Sequence, residues 1–247
     1  MSDFHDKHLN QAVAKSVMAK AAKEKEEHTP SGKLSASILG FPIQWQMLKN
    51  IGIIEPMDEY TLRKFQRGHD VEARLIEWMP NVIETQKECE YRGVIGFADA
   101  IVDSKDYDLQ KGTIPHEVKS STNGAYRHIK KNDTASRSHK LQATMYALAL
   151  GYEYAAVDYV ASDDYRIKTF VFPVTDLKEE MDQIIDDYAK QMKLGIMPMF
   201  DPKEKWHSMP NYQKYVEFAK LTESEIDDLI KTKYPEAYKK LKGLTTP

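Results

Sequence analysis

Gly96-Phe97-Ala98-Asp99-Ala100-Ile101-Val102-Asp103 and, after a polar interval, Lys111-Gly112-Thr113-Ile114-Pro115-His116-Glu117-Val118-Lys119 decide how this chain is read. Each run is short, apolar or β-branched over most of its length, and bounded by Gly, Asp or Ser, the pattern of a half-buried hairpin. Side chains alternate faces along a strand, so Glu117 and Lys119 point the same way and Val118 turns into the packed side. An acid and an ammonium two residues apart, with Asp99 on the neighbouring strand, form a charged constellation suited to metal-assisted phosphodiester chemistry. A phosphodiester resists attack because its oxygens already carry negative charge; one or two divalent ions neutralise that charge and supply hydroxide near neutral pH. Magnesium takes oxygen ligands, few of them from protein, and manganese accepts the same set. Asp99 and Glu117 can supply such oxygens. Lys119 can orient and polarise the water or stabilise developing charge, and the sequence leaves both open. Three such residues also occur together by chance, so the order of the surrounding elements carries the weight.

Upstream, Asp58 is an N-cap candidate for a helix opening at Pro56-Met57 and running to about Met79, where Pro80 stops it. Phe65, Leu75, Ile76 and Trp78 are its core candidates. Gly68 inside it costs about 1 kcal/mol against alanine, which points to close approach of another backbone or a ligand. His69 and Glu72 sit three apart on one face, and taken alone they read more readily as a solvated pair than as a ligand set. Asn81 to Tyr91 reads as a strand leading into the hairpin.

Downstream, Ser120 to Ser138 reads as a polar loop without periodicity. Between Ser120 and Lys140, Arg127, Lys130, Lys131, Arg137 and Lys140 outnumber the single acid Asp133, with Tyr126, His128 and His139 interleaved. Two readings stand side by side: a solvated loop, and a DNA-binding segment in which cations hold the phosphate backbone and rings stack on bases. Ser138 to Leu150 is a helix with Leu141, Met145, Leu148 and Ala149 on its buried side and Gly151 closing it. His139, Gln142 and Tyr146 fall on one stripe of it. Gln142 and Tyr146 can hold a substrate phosphate through neutral hydrogen bonds. Strands follow at Tyr154 to Ala161 and Arg166 to Val174, then a helix from Asp176 to Leu194, capped by Thr175 or Asp176 and ended by Gly195.

Three segments are expected: a helical or flexible arm at 1–33, a main domain at 34–200 and a helical extension at 201–247. The arm is rich in Ala, Lys and Glu with a thin apolar stripe, and Thr29-Pro30-Ser31-Gly32 links it to the rest. It reads as a solvated tail or as a docking arm for a protein partner. Helices are expected at Phe41 to Leu48 and, in the extension, at Asn211 to Lys220, Glu223 to Lys231 and Pro235 to Leu241.

Composition narrows the function classes. The chain has 247 residues, 41% hydrophobic and 30% charged, ordinary for a globular protein. No run approaches the roughly 18 apolar residues of a membrane span, and the first residues are too polar for a signal peptide, so no membrane partner and a cytoplasmic location are expected. One cysteine, Cys89, excludes an internal disulfide framework and a four-cysteine iron–sulfur cluster. A net charge of −3 offers no global basic field, so contact with a polyanion has to be local. Nothing in the sequence bears on oligomeric state.

The order helix with Gly68 and His69, strand with Gly96 and Asp99, strand with Glu117-Val118-Lys119, and helix with Gln142 and Tyr146 resembles the PD-(D/E)XK nuclease superfamily. Within it the chain is similar to the RecB-like exonuclease branch, which includes CRISPR-associated adaptation nucleases and, more distantly, lambda exonuclease. Leu34 to Gly40 resembles the segment before the first motif in many phage-encoded members. The resemblance spans roughly Leu34 to Leu194 and rests on four motifs in order. It implies a restriction-endonuclease-like α/β core, a small mixed β-sheet flanked by helices. It further implies His69, Asp99, Glu117 and the Val118 carbonyl as ligands of Mg2+ or Mn2+, Lys119 as the catalytic lysine, and Gln142 and Tyr146 as the exonuclease-branch pair. Ala98 stands where the family name has proline. The implied activity is a metal-dependent DNA exonuclease of recombination, repair or phage DNA processing, acting in the host cytoplasm if phage-encoded. The alternatives are an endonuclease on the same fold and a catalytically silent nucleic-acid-binding module.

Overall fold

A computed structural model describes residues 2–27, 32–54, 57–107, 112–201 and 213–243. Thr29-Pro30-Ser31, Pro56, Lys111 and Asn211 lie outside the described residues, and with them most of the link after the arm and the first residue of three expected elements.

The expected hairpin forms. β2 (Val82–Tyr91), β3 (Val94–Asp103) and β4 (Thr113–Ser121) are antiparallel, with Ala100 opposite His116 and Val102 opposite Ile114. β4 then pairs in parallel with β5 (Tyr154–Ala161), which pairs antiparallel with β6 (Ile167–Pro173). A two-residue β1 (Leu34–Ser35) adds to β3 in parallel, so the sheet has six strands in the order β1-β3-β4-β5-β6, with β2 on β3. A parallel neighbour requires a crossover, and here α4 (Asn123–Asn132) and α5 (Arg137–Leu150) supply it. The remaining helices are α1 (Ser2–Glu27), α2 (Ile43–Ile51), α3 (Glu59–Trp78), α6 (Lys178–Leu194), α7 (Gln213–Phe218), α8 (Glu223–Lys233) and α9 (Pro235–Leu241). The architecture is α/β, a mixed sheet flanked by helices.

The two sheet faces pack differently. Leu141, Met145 and Tyr146 of α5 meet Ala98, Ile101, Ala155, Val157 and Tyr159 in the main core, which Phe218, Ile226, Ile230 and Leu241 of the C-terminal helices join. On the other face Val71 and Leu75 of α3 meet Val118 and Val160 in a smaller cluster. α1 approaches α3, where the Lys20 ammonium donates to Gln66 Oε1 at 3.3 Å. Among the described residues no helix is long and apolar enough to cross a membrane.

Four local expectations change. Residues 120–138 are not a loop: Thr122 caps α4 by accepting from Ala125 N–H, and Asp133 closes it in the left-handed region. The legible signs were the cap Thr122 and the pair Tyr126 and Ile129, three apart and both packed on the main core. Phe65 and Trp78 are exposed, because the buried stripe of α3 runs through Thr61, Val71 and Leu75. Leu148 and Ala149 are only half-buried at the end of α5. Thr175 and Asp176 do not cap α6; they lie in a 3-10 turn, Val174–Asp176, and Leu177 stands at the cap position without a side-chain bond.

Gly40 is needed where the chain passes the start of α5. A β-carbon there would lie 2.5 Å from Ser138 Cα, a backbone atom that cannot step aside. Gly40→Ala is therefore expected to destabilise the protein by about 1–3 kcal/mol, read as a lower urea midpoint with an unchanged m-value.

Candidate active site

The site grows from an interruption in strand pairing. β2 lies along one edge of β3. On the other edge β1 reaches only Val94 and Ile95, and β4 joins only from Ala100 onward. Residues 96–99 thus have no strand partner on that side, and side chains fill the gap. Tyr146 of α5 passes Gly96 so closely that a β-carbon would fall 2.7 Å from its Cε1 and 2.9 Å from Ala36 Cβ. At the far end of the gap Asp99 Oδ2 accepts the Val118 N–H at 2.7 Å, replacing the missing ladder bond with a side chain.

Around this bond four charged groups converge. Glu117 pairs with Lys119; the carboxylate is sealed, 1% exposed, while the lysine keeps 29% of its side chain open and so forms the accessible lip. Glu72 reaches in from α3, hydrogen-bonded to Asp99 and accepting from Gln86 Nε2 at 2.9 Å. Burial raises the Glu117 pKa to about 8 against the pull of Lys119, with Asp99 and Glu72 adding repulsion. Burial, then the charge of Asp99, raises Glu72 to about 7. Asp99 also rises through burial, opposed by Lys119 and the Val118 N–H. Burial works against the Lys119 charge, yet Glu117, Asp99 and Glu72 together hold its pKa above the usual lysine range. Three acids share one ammonium, so the cluster favours further positive charge.

On α5, Gln142 Nε2 donates to the Tyr146 hydroxyl at 2.7 Å, and burial pushes the tyrosine pKa upward. His139, one turn earlier, lies 2.8 Å from the Tyr159 hydroxyl through Nδ1, and that hydroxyl accepts the Ser136 N–H at 2.9 Å. Burial and the Lys119 charge lower the His139 pKa to about 4, so the ring is neutral.

The structure brings together Asp99, Glu117, Val118 and Lys119, with Gln142, Tyr146 and His139 on the helix that covers them. It does not bring in His69, whose side chain is 74% exposed and reaches toward Glu72 at 4.0 Å. Helical geometry explains the exchange: Glu72, three residues on, lies toward the sheet. Tyr126 is buried in the main core and cannot stack on a base. Arg137 is engaged by Glu180 and the Gly40 carbonyl. Arg127, Lys130 and Lys131 project from α4 into solvent, and Lys140 is half-buried on α5. Gln86 carries no sequence signal at all. It sits on β2 with φ 49°, a left-handed conformation uncommon for a non-glycine residue, and so reaches both Glu72 and Asp99.

Among the described residues no three His, Cys, Asp or Glu side chains converge tightly enough to hold an ion between them. A magnesium ion commonly takes only one or two protein carboxylates and completes its shell with water and phosphate. Glu117 Oε2, buried without a hydrogen-bond partner, is an oxygen of the right chemistry beside Asp99. On that count the residues fit such an ion.

No protein-family model matches the chain and no curated protein matches its sequence. Solved structures do. The alkaline exonuclease LHK-Exo from Laribacter hongkongensis, solved in complex with dAMP, is 14% identical, covering 66% of this chain and 89% of its own, with a TM-score of 0.50. SSO0001 is 16% identical, covering 87% of this chain and 98% of its own, also with a TM-score of 0.50. At these identities the likeness is one of fold.

A carboxyl raised in the folded state binds more protons than its unfolded counterpart, so stability is full below the ordinary value and falls as pH rises. For Glu117 the window runs from 4.5 to about 8. In a chelator-containing buffer the melting temperature is expected to decline from pH 5 to pH 8, and Glu117→Gln to flatten that decline. Equal slopes for the two proteins would show that Glu117 is not held protonated.

Proposed function

We propose that the protein is a divalent-metal-dependent deoxyribonuclease of the PD-(D/E)XK type that digests DNA from an end. The observation that carries this reading is the buried Asp99–Glu117–Lys119 cluster, set in the gap of β3 with Glu72 behind it. One of the solved structures of like fold is an exonuclease, which accords with it. Asp99 and Glu117 would hold the ion, with Val118 offering a backbone carbonyl. When bound, a Mg2+ or Mn2+ ion offsets phosphate charge and lowers the pKa of water.

The chain's own residues do the rest. Lys119, kept protonated by three acids, presents a cation at the accessible lip, where it can orient the attacking water or stabilise charge that grows on the phosphate. The neutral His139 imidazole and the Gln142–Tyr146 pair lie on the covering helix. They can bind phosphate oxygens without drawing the lysine away from Glu117. α4 starts two residues past the end of β4 and carries Arg127, Lys130 and Lys131 outward, a local basic strip on a chain of net charge −3. That strip suits the DNA backbone flanking the site. DNA recombination, repair or phage DNA processing is the setting we assign.

The test is magnesium-dependent digestion of end-labelled linear DNA beside a closed single-stranded circle. Loss of the linear strand alone is expected, with Lys119→Ala and Asp99→Asn each slower by on the order of 100-fold or more while circular dichroism stays unchanged. Cutting of the circle would make the enzyme an endonuclease. Retained activity in either variant would overturn the roles assigned to Lys119 and Asp99.

For the basic strip, Lys130→Ala with Lys131→Ala should weaken binding to duplex DNA and reduce the slope of log K against log salt by about 2. An unchanged slope would remove α4 from the DNA path.

A further inference from the structure

Alternation along β4 sends Glu117 and Lys119 toward α5 and sends His116 and Val118 toward α3. On this second face a cavity of about 390 Å³ opens between the end of α3 and the edge strand β6. Trp78 and Tyr165 form one wall, their ring centroids 4.9 Å apart, and Leu75 and Ile167 are among the other lining residues. His116 and Asp158 also line it, though they are only 4% and 2% exposed. Asp158 Oδ2 lies 2.6 Å from His116 Nδ1, and its Oδ1 accepts the Thr169 hydroxyl at 2.5 Å.

Buried polar groups are unfavourable unless each atom is paired. Here a three-residue relay, Thr169 to Asp158 to His116, is satisfied up to its last atom. His116 Nε2 is buried and has no hydrogen-bond partner among the described residues. Neighbouring positions on this face are Val71, Leu75, Val118 and Val160, so packing alone does not call for the relay.

We propose that this cavity is a second binding site, apart from the carboxylate–lysine cluster, for an uncharged flat nitrogen heterocycle of purine size. The ring would lie against Trp78 and Tyr165 and hydrogen-bond to His116 Nε2. Other ligand classes fit less well. A metal ion would find one free nitrogen, because both Asp158 oxygens are engaged. An anion would meet the Asp158 carboxylate with no Lys or Arg among the lining residues. A wholly apolar molecule would leave Nε2 unpaired. Aromatic walls favour a flat ring, and the volume is at the small end of ligand pockets. This proposal does not depend on the nuclease reading.

The test is calorimetric titration of the full chain with adenine, and with benzoate as a flat charged control. Saturable adenine binding is expected, weakened roughly tenfold by Trp78→Ala and blocked by Ile167→Glu at the exposed rim. The double variant His116→Phe, Asp158→Leu removes both buried polar partners together, which spares the fold an unpaired charge, and should also lose binding. Lys119→Ala should bind adenine as the parent does. No saturable heat at millimolar adenine would overturn the proposal, as would benzoate binding equally well. So would affinity that ignores the Trp78 and Ile167 changes, or that disappears with Lys119→Ala, since the ligand would then sit elsewhere.

Discussion

The Asp99–Val118 hydrogen bond is the contact on which the rest of the site depends. Antiparallel strands bond along their length, yet β3 and β4 part company just before Ala100, leaving backbone groups that need partners. A carboxylate takes the place of the missing carbonyl at that point. The substitution does two things at once: it closes the ladder, and it fixes one oxygen of a carboxyl that also interacts with Lys119, Glu72 and Gln86. A side chain with no backbone role would have rotational freedom that this one lacks, and preorganised charge is worth most when nothing has to move. Gly96 completes the arrangement from the other end of the gap, because only a residue without a β-carbon lets Tyr146 close over it.

Charge balance follows from that geometry. Burial raises each of the three carboxyls, and one lysine cannot offset them. A structural ion pair would be built the other way, with one acid to one base and every oxygen bonded, since unpaired buried charge is destabilising. The cluster instead keeps a bare Glu117 oxygen and a surplus of acid, in a position reached past a partly exposed lysine. Strong perturbation by burial plus specific charged neighbours is a mark of functional sites more than of scaffold.

The hairpin was legible because two short β-branched runs bounded by turn residues have few other solutions, and α5 because Leu141 and Met145 recur at helical spacing before a glycine. Strand alternation correctly put Glu117 beside Lys119. Sequence spacing could not choose between His69 and Glu72, which share a helix face; the choice depends on how α3 rotates against the sheet, and Val71 and Leu75 set that rotation by burying against Val118 and Val160. Tyr126 misled for a related reason. An aromatic among cations looks like a stacking platform, but in a helix of ten residues it is the residue that buries, leaving Arg127, Lys130 and Lys131 outside. Gln86 was invisible because its role comes from a left-handed backbone in the middle of β2, which no local rule anticipates for glutamine.

The run His116-Glu117-Val118-Lys119 shows how much a period of two can encode. One parity carries the acid and the lysine to the α5 side, and the other carries a histidine to the α3 side, where it meets Asp158 of the parallel neighbour β5. A slip of one residue in this strand would exchange the faces, putting Glu117 among valines and leaving Asp158 without its partner. Both faces bury ionisable groups, so both penalise the wrong register by desolvation as well as by lost packing. The polar residues of β4 therefore specify the alignment of the central strands as strongly as its apolar ones do. Chemistry on the two faces and the register of the sheet are one constraint, imposed through a single strand.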